Sequence, residues 1–186
     1  MDAAGTGPGQ RSTEPTGDPA SIDHNDLPAR KTGAQAQSDR MATANDLPLF
    51  GIATLDAIAY AHHAQAWPVT ALVQAGRGRV CWGHYIQAAR PGAWQQVSPF
   101  AISSIEAVSA AIHAPTLFAG DLLASTRAVL TAQLGAHAHF ASPALTVRRA
   151  SLLAELAWPR FLAGATDDIT TLAPIYLHDL PAGPGA

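Results

Sequence analysis

Apolar residues follow two regimes along this chain. Through residues 1–46 the large aliphatics are Met1, Ile22, Leu27 and Met41, scattered among Gly, Pro, Ser, Thr, Asp and Gln. Such a segment buries too little apolar area to offset its ordering entropy, so a disordered tail is expected over 1–46. From Leu47 the pattern becomes that of a folded domain, with short apolar runs alternating with apolar positions at 3-4 spacing.

The run Leu49–Ile52 predicts a short strand. Thr54 is placed to cap a helix starting at Leu55, whose face carries Leu55, Ile58, Ala59 and His62. Pro68 ends that unit. Val69–Gln74 and Arg79–Ile86 are rich in β-branched and aromatic residues, and Gly76-Arg77-Gly78 supplies a hairpin turn between them. Trp94–Ile102 reads as a third antiparallel strand. Ser103 with Glu106 forms a capping box ahead of the face Ile105, Val108, Ile112. Thr116–Ala119 predicts a strand ending in Gly120-Asp121. Ser125 or Thr126 then opens a helix bearing Val129, Leu130 and Leu134, and Gly135 is placed to terminate it. His137–Ala141 predicts another strand. Leu145–Ala163 is the longest helical stretch, with Val147, Ala150, Ala154, Ala157 and Phe161 near one face and Pro159 expected to kink or end it. Residues 181–186 are expected to fray. The sum is an α/β domain over 47–180.

Bulk properties narrow the function classes. A length of 186 residues holds one domain with a tail, and 48% hydrophobic residues suffice for a core. The formal net charge of −3 gives no bulk attraction to nucleic acid or anionic membrane. Lys31 is the sole lysine, which reads as coding bias rather than a site. Cys81 is the sole cysteine, so neither an internal disulfide nor a cysteine zinc cluster forms, and a reducing cytoplasm fits. No apolar run approaches the roughly 18 residues of a membrane span, and no signal peptide is expected.

Candidate chemistry is sparse. His62 and His63 are adjacent on a helix, about 100° apart, and do not chelate one ion together. His137 and His139 share a strand face, and an H-x-H pair binds zinc in other proteins, but no third ligand is marked. No H-E-x-x-H is present, and Gly5-Thr6-Gly7-Pro8-Gly9 lacks the Lys-Ser/Thr of a phosphate loop. Cys81 shares a strand face with Arg79, opposite Val80 and Trp82. A packed thiol is the plainer reading, because a nucleophile needs a base. Arg77 and Arg79 make a small basic point at the hairpin, suited to an acidic partner or an RNA phosphate, against the plainer reading of a solvated turn. Arg148-Arg149 reads as a solvated face. No catalytic, cofactor-binding or metal residue is assigned.

Four local strings carry a resemblance. PLFGIATLDAIA is similar to the P-L-x-G-V-S-T-L-x-A-L-A segment of the bacterial TsaB (YeaZ-like) family. VQAGRGRVCWGHY is similar to that family's hairpin, usually D-A-R-x-G-E-V-Y. Phe118-Ala119-Gly120-Asp121 stands at the place of its V-G-D-G-type strand end, and APIYLH is similar to its closing P-x-Y-L-R. The strings occur in family order and span roughly residues 47–178. The resemblance implies the C-terminal lobe of an RNase H-like, actin-type fold of the ASKHA kind, with a mixed sheet. It also implies a non-catalytic accessory role in tRNA threonylcarbamoyladenosine formation. The partners would be a TsaD-like catalytic subunit and a TsaE-like ATPase, with tRNA met only indirectly and no cofactor.

The chain also departs from the family. The L-x-I-D-T-S/A-type strand that begins the family's first lobe is absent. Gly5–Gly9 resembles the start of its G-x-G-P-G-S-F-T-G-x-R turn, yet EPTGDPASIDHNDLPARKTG replaces the helix that follows. In the hairpin Gln74 stands for Asp, Gly76 for Arg, Arg79 for an acidic residue and Cys81 for Tyr, so contacts that used those charges are altered. A truncated relic of the family is therefore an alternative. A metal or thiol enzyme built on His137, His139 and Cys81 is a third, less supported reading. In the family the lobes cover each other, so apolar surface at Leu49–Ile52 or the first helix is expected to be exposed, with homodimerisation or poor solubility as the result.

Overall fold

The computed structural model describes residues 33–87, 94–175 and Leu177. These residues lie in the unit Lys31–Ala186. The expected tail up to residue 32, the Gly5–Gly9 string, Tyr176, His178 and the end at 181–186 lie outside the described residues.

Helix α1 (Gly33–Ala44) comes first and α2 (Thr54–Tyr60) second. The hairpin β1 (Val69–Gly76) and β2 (Arg79–Gln87) follows, then the short strands β3 (Trp94–Gln96) and β4 (Ala101–Ser104). The remainder is α3 (Ile105–Ala110), β5 (Thr116–Gly120), α4 (Ala124–Leu134), β6 (Ala138–Phe140) and α5 (Ala150–Leu162). The sheet runs β3-β2-β1-β5-β6, with β4 also paired to β2. Pairings of β2 with β1, β3 and β4 are antiparallel, whereas β1–β5 and β5–β6 are parallel. The sheet is therefore mixed and the fold α/β, as expected.

The hairpin closes through a two-residue loop, Arg77-Gly78, with Gly76 facing Arg79. Arg77 and Gly78 have φ of 53° and 72°. Two successive positive φ values form the turn whose twist matches paired strands.

Strand alternation divides the core between the two sheet faces. Val69, Ala71 and Ala119 pack with Leu55, Ile58 and Ala59 of α2. Leu72, Val80 and Phe118 pack on the other face with Ile105, Val108, Ile112 and Leu130. The apolar faces read from the sequence at 55/58/59 and 105/108/112 are thus the buried ones, and His62 is buried with the first. Across the first face the Tyr85 hydroxyl donates to Asp56 Oδ1 at 2.8 Å, tying α2 to the sheet. Burial holds the Asp56 carboxyl above its ordinary value, partly offset by that bond.

Several expectations are corrected. Gly33–Ala44 is helical, so the tail does not reach residue 46 as a structureless segment. Buried Ala42, and Gln35 donating to the Leu172 carbonyl at 2.8 Å, supply distant contacts that local composition does not reveal. Leu49–Ile52 is no strand: its polar backbone partners are Thr166 and Asp167, not a ladder. Thr54 lies inside α2, whose cap position is Ala53. Ser104, the last residue of β4, caps α3 by accepting from Ala107 N, whereas the Ser103 hydroxyl accepts from Trp82 Nε1 at 3.0 Å. The third strand is split into β3 and β4 around Pro99, which has no N–H for a ladder. Neither Ser125 nor Thr126 caps α4, which begins at Ala124. Gly135 does end α4 with φ 54°. Pro159 sits in the last turn of α5, which continues to Leu162. None of α5 is buried, so its expected inward face is open. Conversely, Leu55, Ile58 and Ala59 are buried and Phe50 and Ile52 are half-buried, so exposed apolar surface is not concentrated where it was expected.

Gly120 has φ +104°, and a Cβ there would run into the Leu72 carbonyl oxygen. Gly120→Ala is expected to cost about 3 kcal/mol or more. Gly78→Ala, with φ +72° and open space around it, is expected to cost only about 1 kcal/mol. Urea unfolding of the two variants checks the contrast. Tyr85→Phe strands a half-buried carboxylate and is expected to cost about 1–2 kcal/mol. A raised folded pKa means a stabilising proton below the ordinary value of 3.8, lost as pH rises through the folded value. Asp56→Asn is therefore expected to gain on wild type as pH rises from about 3.5 to about 7.

Candidate functional site

The β1–β2 face does not end at the core. Beyond Leu55 and Val73 it opens into a groove of about 880 Å³. One wall is α1 with the segment Leu49–Leu55; the other is the hairpin, with Phe100 at its side and Leu172–Ile175 and Leu177 across the end. Phe50, Val73, Cys81, Phe100 and Leu172 make it largely apolar, and Gln35, Asp39, Gln74 and Arg148 add polar groups.

The wall at Leu49–Ile52 has no ladder, so side chains hold it. Asp167 Oδ2 accepts from Gly51 N at 2.7 Å, and its other oxygen pairs with Arg160. Arg160 also donates to the Gly51 carbonyl at 3.3 Å and lies 5.2 Å over the Phe50 ring. Asp167 N bonds back to the Leu49 carbonyl at 2.9 Å. The Gly51 N–H bond first, and the Arg160 guanidinium second, hold the Asp167 carboxyl below the usual range. Gly51 has a direct role here: a Cβ would meet Leu172 Cδ1 at 2.7 Å.

Gln74 is the position where the resemblance expects an acid. Its Nε2 donates to the Asp121 carbonyl at 2.9 Å, and its backbone N–H donates to Asp121 Oδ2 at 3.3 Å. Asp121 also faces Arg148 at 3.5 Å. The amide thus binds the strand end after β5 without adding charge beside Asp121. A carboxylate at 74 would have no proton to donate to the Asp121 carbonyl.

Cys81 lies on the groove side of β2 and is half-buried. Burial pushes its thiol up, and the nearby Arg79 charge offsets this only in part. That is the opposite of an activated nucleophile. Arg77 is exposed at the loop and Arg79 half-buried beside Cys81; neither pairs with an acid among the described residues. His62 is buried, which lowers its pKa. His63 stacks on Tyr60 with ring centroids 4.5 Å apart. His137 lies in a 3₁₀ turn and only His139 lies on β6, so the expected shared strand face is absent. His139 stacks on Trp67 at 3.8 Å. Among the described residues no three His, Cys, Asp or Glu side chains come together as a metal site. Arg148 and Arg149 line a second cavity of about 300 Å³ beside α2 and the start of α5. Asp167, Arg160, Gln35 and Leu172 were not read from the sequence. Their partners are more than a hundred positions away in most cases, and no local signal marks them.

No protein-family model and no curated protein sequence matches the chain. Solved structures do match, among them two from Pseudomonas aeruginosa. One is described as an uncharacterized protein with similarity to peptidase YEAZ, with TM-score 0.58 and 22% identity. The other is YeaZ, with TM-score 0.59 and 20% identity. The fold is YeaZ-like. Each match covers 77% of this chain and 65% of the matched one, so the chain spans about two-thirds of their length. Identity of this order establishes the fold alone. Within that YeaZ-like fold the sequence strings fall on the groove wall with α2, on the hairpin, and on the end of β5. Of the closing string, Leu177 is buried at 7% exposure. No helix among the described residues is long and apolar enough to cross a membrane.

Cys81 is expected to react with iodoacetamide at about pH 7 at least about tenfold more slowly than a free thiol. Labelling at the free-thiol rate would revive the nucleophile reading.

Proposed function

We propose that this chain is a non-catalytic accessory subunit of tRNA threonylcarbamoyladenosine formation, working in the cytoplasm with a TsaD-like catalytic subunit. The observation that carries the reading is the ordered set of four family-like strings on a YeaZ-like fold. A TsaE-like ATPase joins the pair in this reading, and tRNA is met only through the partner.

The site chemistry supports an accessory role. Cys81, the one thiol, is disfavoured as an anion, and among the described residues the hairpin arginines pair with no acid. Arg77 and Arg79 are the residues we assign to partner contact. They present charge at the hairpin tip, where a rim contact alters association more than fold stability.

The rival reading is a relic of the family without a partner. It draws on the altered hairpin, where Gln74, Gly76 and Arg79 replace the family's charge pattern. Co-purification separates the two. The full chain is expected to form a stoichiometric complex with the TsaD-like subunit of its own genome at about 10 μM. The double variant Arg77→Glu/Arg79→Glu is expected to weaken it about fivefold or more. No association at that concentration would sink the accessory reading and favour the relic.

A further inference from the structure

We propose that the cavity between α2 and the start of α5 binds a small monocarboxylate with an apolar body. The inference needs no TsaD-like partner and stands apart from the function proposed above.

The cavity exists because the residues that face it from three elements are small. Ala57 and Ala61 line it from α2, Ala150 from α5 and Gly120 from the end of β5. Its volume is about 300 Å³. An apolar cavity of about 150 Å³ takes up benzene, so this one has room for about ten to twelve heavy atoms. Ile52, Ile58 and Leu152 complete an apolar floor. Gly120 sets that floor at the carboxyl end of β5, which runs parallel to β1. In α/β sheets ligands bind beyond the carboxyl ends of the strands.

The rim is of two kinds. Leu145, Val147 and Leu153 line the cavity yet are 41%, 64% and 43% exposed. An apolar body seated between them would remove that surface from water. Arg148 and Arg149 are the charged residues of the lining, and no acid shares it. Arg148 is held by Asp121 only at 3.5 Å, with its side chain 55% exposed. Arg149 has no ion pair among the described residues. Two guanidinium groups against one carboxylate leave a single positive charge at the rim, which matches a singly charged head. A guanidinium fork binds a carboxylate through paired N–H donors, and the Thr54 hydroxyl in the same lining adds a neutral donor. The larger groove lacks this bias, because Asp39 lines it together with Arg148.

Amide-resolved NMR titration of the full chain tests the site at about pH 7, where a carboxylate is ionised. The probes are 3-phenylpropionate, of about eleven heavy atoms, its neutral twin 3-phenylpropan-1-ol, and acetate. The acid is expected to bind with a Kd on the order of 1 mM or below, shifting amides of Ala57–Ala61 and Leu145–Leu153. The alcohol should bind at least about fivefold more weakly, and acetate should not bind at about 10 mM. Arg149→Gln, at an exposed position, should weaken the acid at least about fivefold and leave the alcohol unchanged. Ala61→Leu, which fills the cavity from a half-buried position, should weaken both at least about tenfold. If its circular dichroism shows that Ala61→Leu does not fold, Arg149→Gln decides alone. No binding of the acid at about 10 mM would overturn the proposal and leave Arg148-Arg149 as a solvated face. Equal affinity for the acid and its alcohol, or for the acid and acetate, would overturn it as well. So would full-strength binding in Arg149→Gln, or shifts confined to the groove residues Val73 and Cys81.

Discussion

The close parallel approach of β5 to β1 is the contact on which this structure depends. Leu72 and Gly120 are paired at the end of that ladder. There Gly120 takes a positive φ that leaves no room for a Cβ beside the Leu72 carbonyl. The same carbonyl accepts from Asp121 N at 2.9 Å, so the ladder continues one step past the strand while the chain turns. Without that turn α4 would not return across the sheet to bury Leu130 against Phe118 and Leu72. Nor would Asp121 stand where Gln74 and Arg148 reach it.

From this ladder the two halves of the chain acquire different roles. The hairpin side is antiparallel and built from local pairings. The β5–α4–β6 side is a parallel crossover whose pairing needs long-range closure. The first face of the sheet is covered by α2 through Leu55, Ile58 and the Tyr85–Asp56 bond. Where α2 stops, the covering layer becomes an extended segment pinned by Asp167 and Arg160, and the groove forms beneath it. The groove is thus a consequence of one fact: short elements cover the first face of the sheet only in part.

Much of this was legible in the sequence, for reasons that can be named. Gly78 after Arg77 marked the hairpin, because successive positive φ values favour glycine. Ile105, Val108 and Ile112 marked α3 by spacing, and all three are buried. Gly120-Asp121 marked the end of β5. The misreadings share a cause. Ser103 was bound by Trp82 from another strand, and the cap fell to Ser104. Leu49–Ile52 had a strand's composition, but its partners proved to be side chains 116 and 117 positions away. Helix α1 had no apolar stripe to reveal it, and Gln35 meets Leu172 137 positions on. The groove's wall of α1 and Leu49–Leu55 was invisible because it is held by such long-range bonds. The hairpin contribution to the groove, Gln74 and Cys81, was visible because it is local.

Native-state amide exchange tests the central claim most directly. If β1–β5 is the contact that holds the rest, the amides of Val69–Leu72 and Leu117–Gly120 exchange slowest and open together at the global unfolding free energy. Those of β3, β6 and the Leu49–Ile52 segment open earlier. If β1 and β2 remain protected while β5 exchanges freely, the hairpin is the stable unit, and the account of a fold keyed to Gly120 is contradicted.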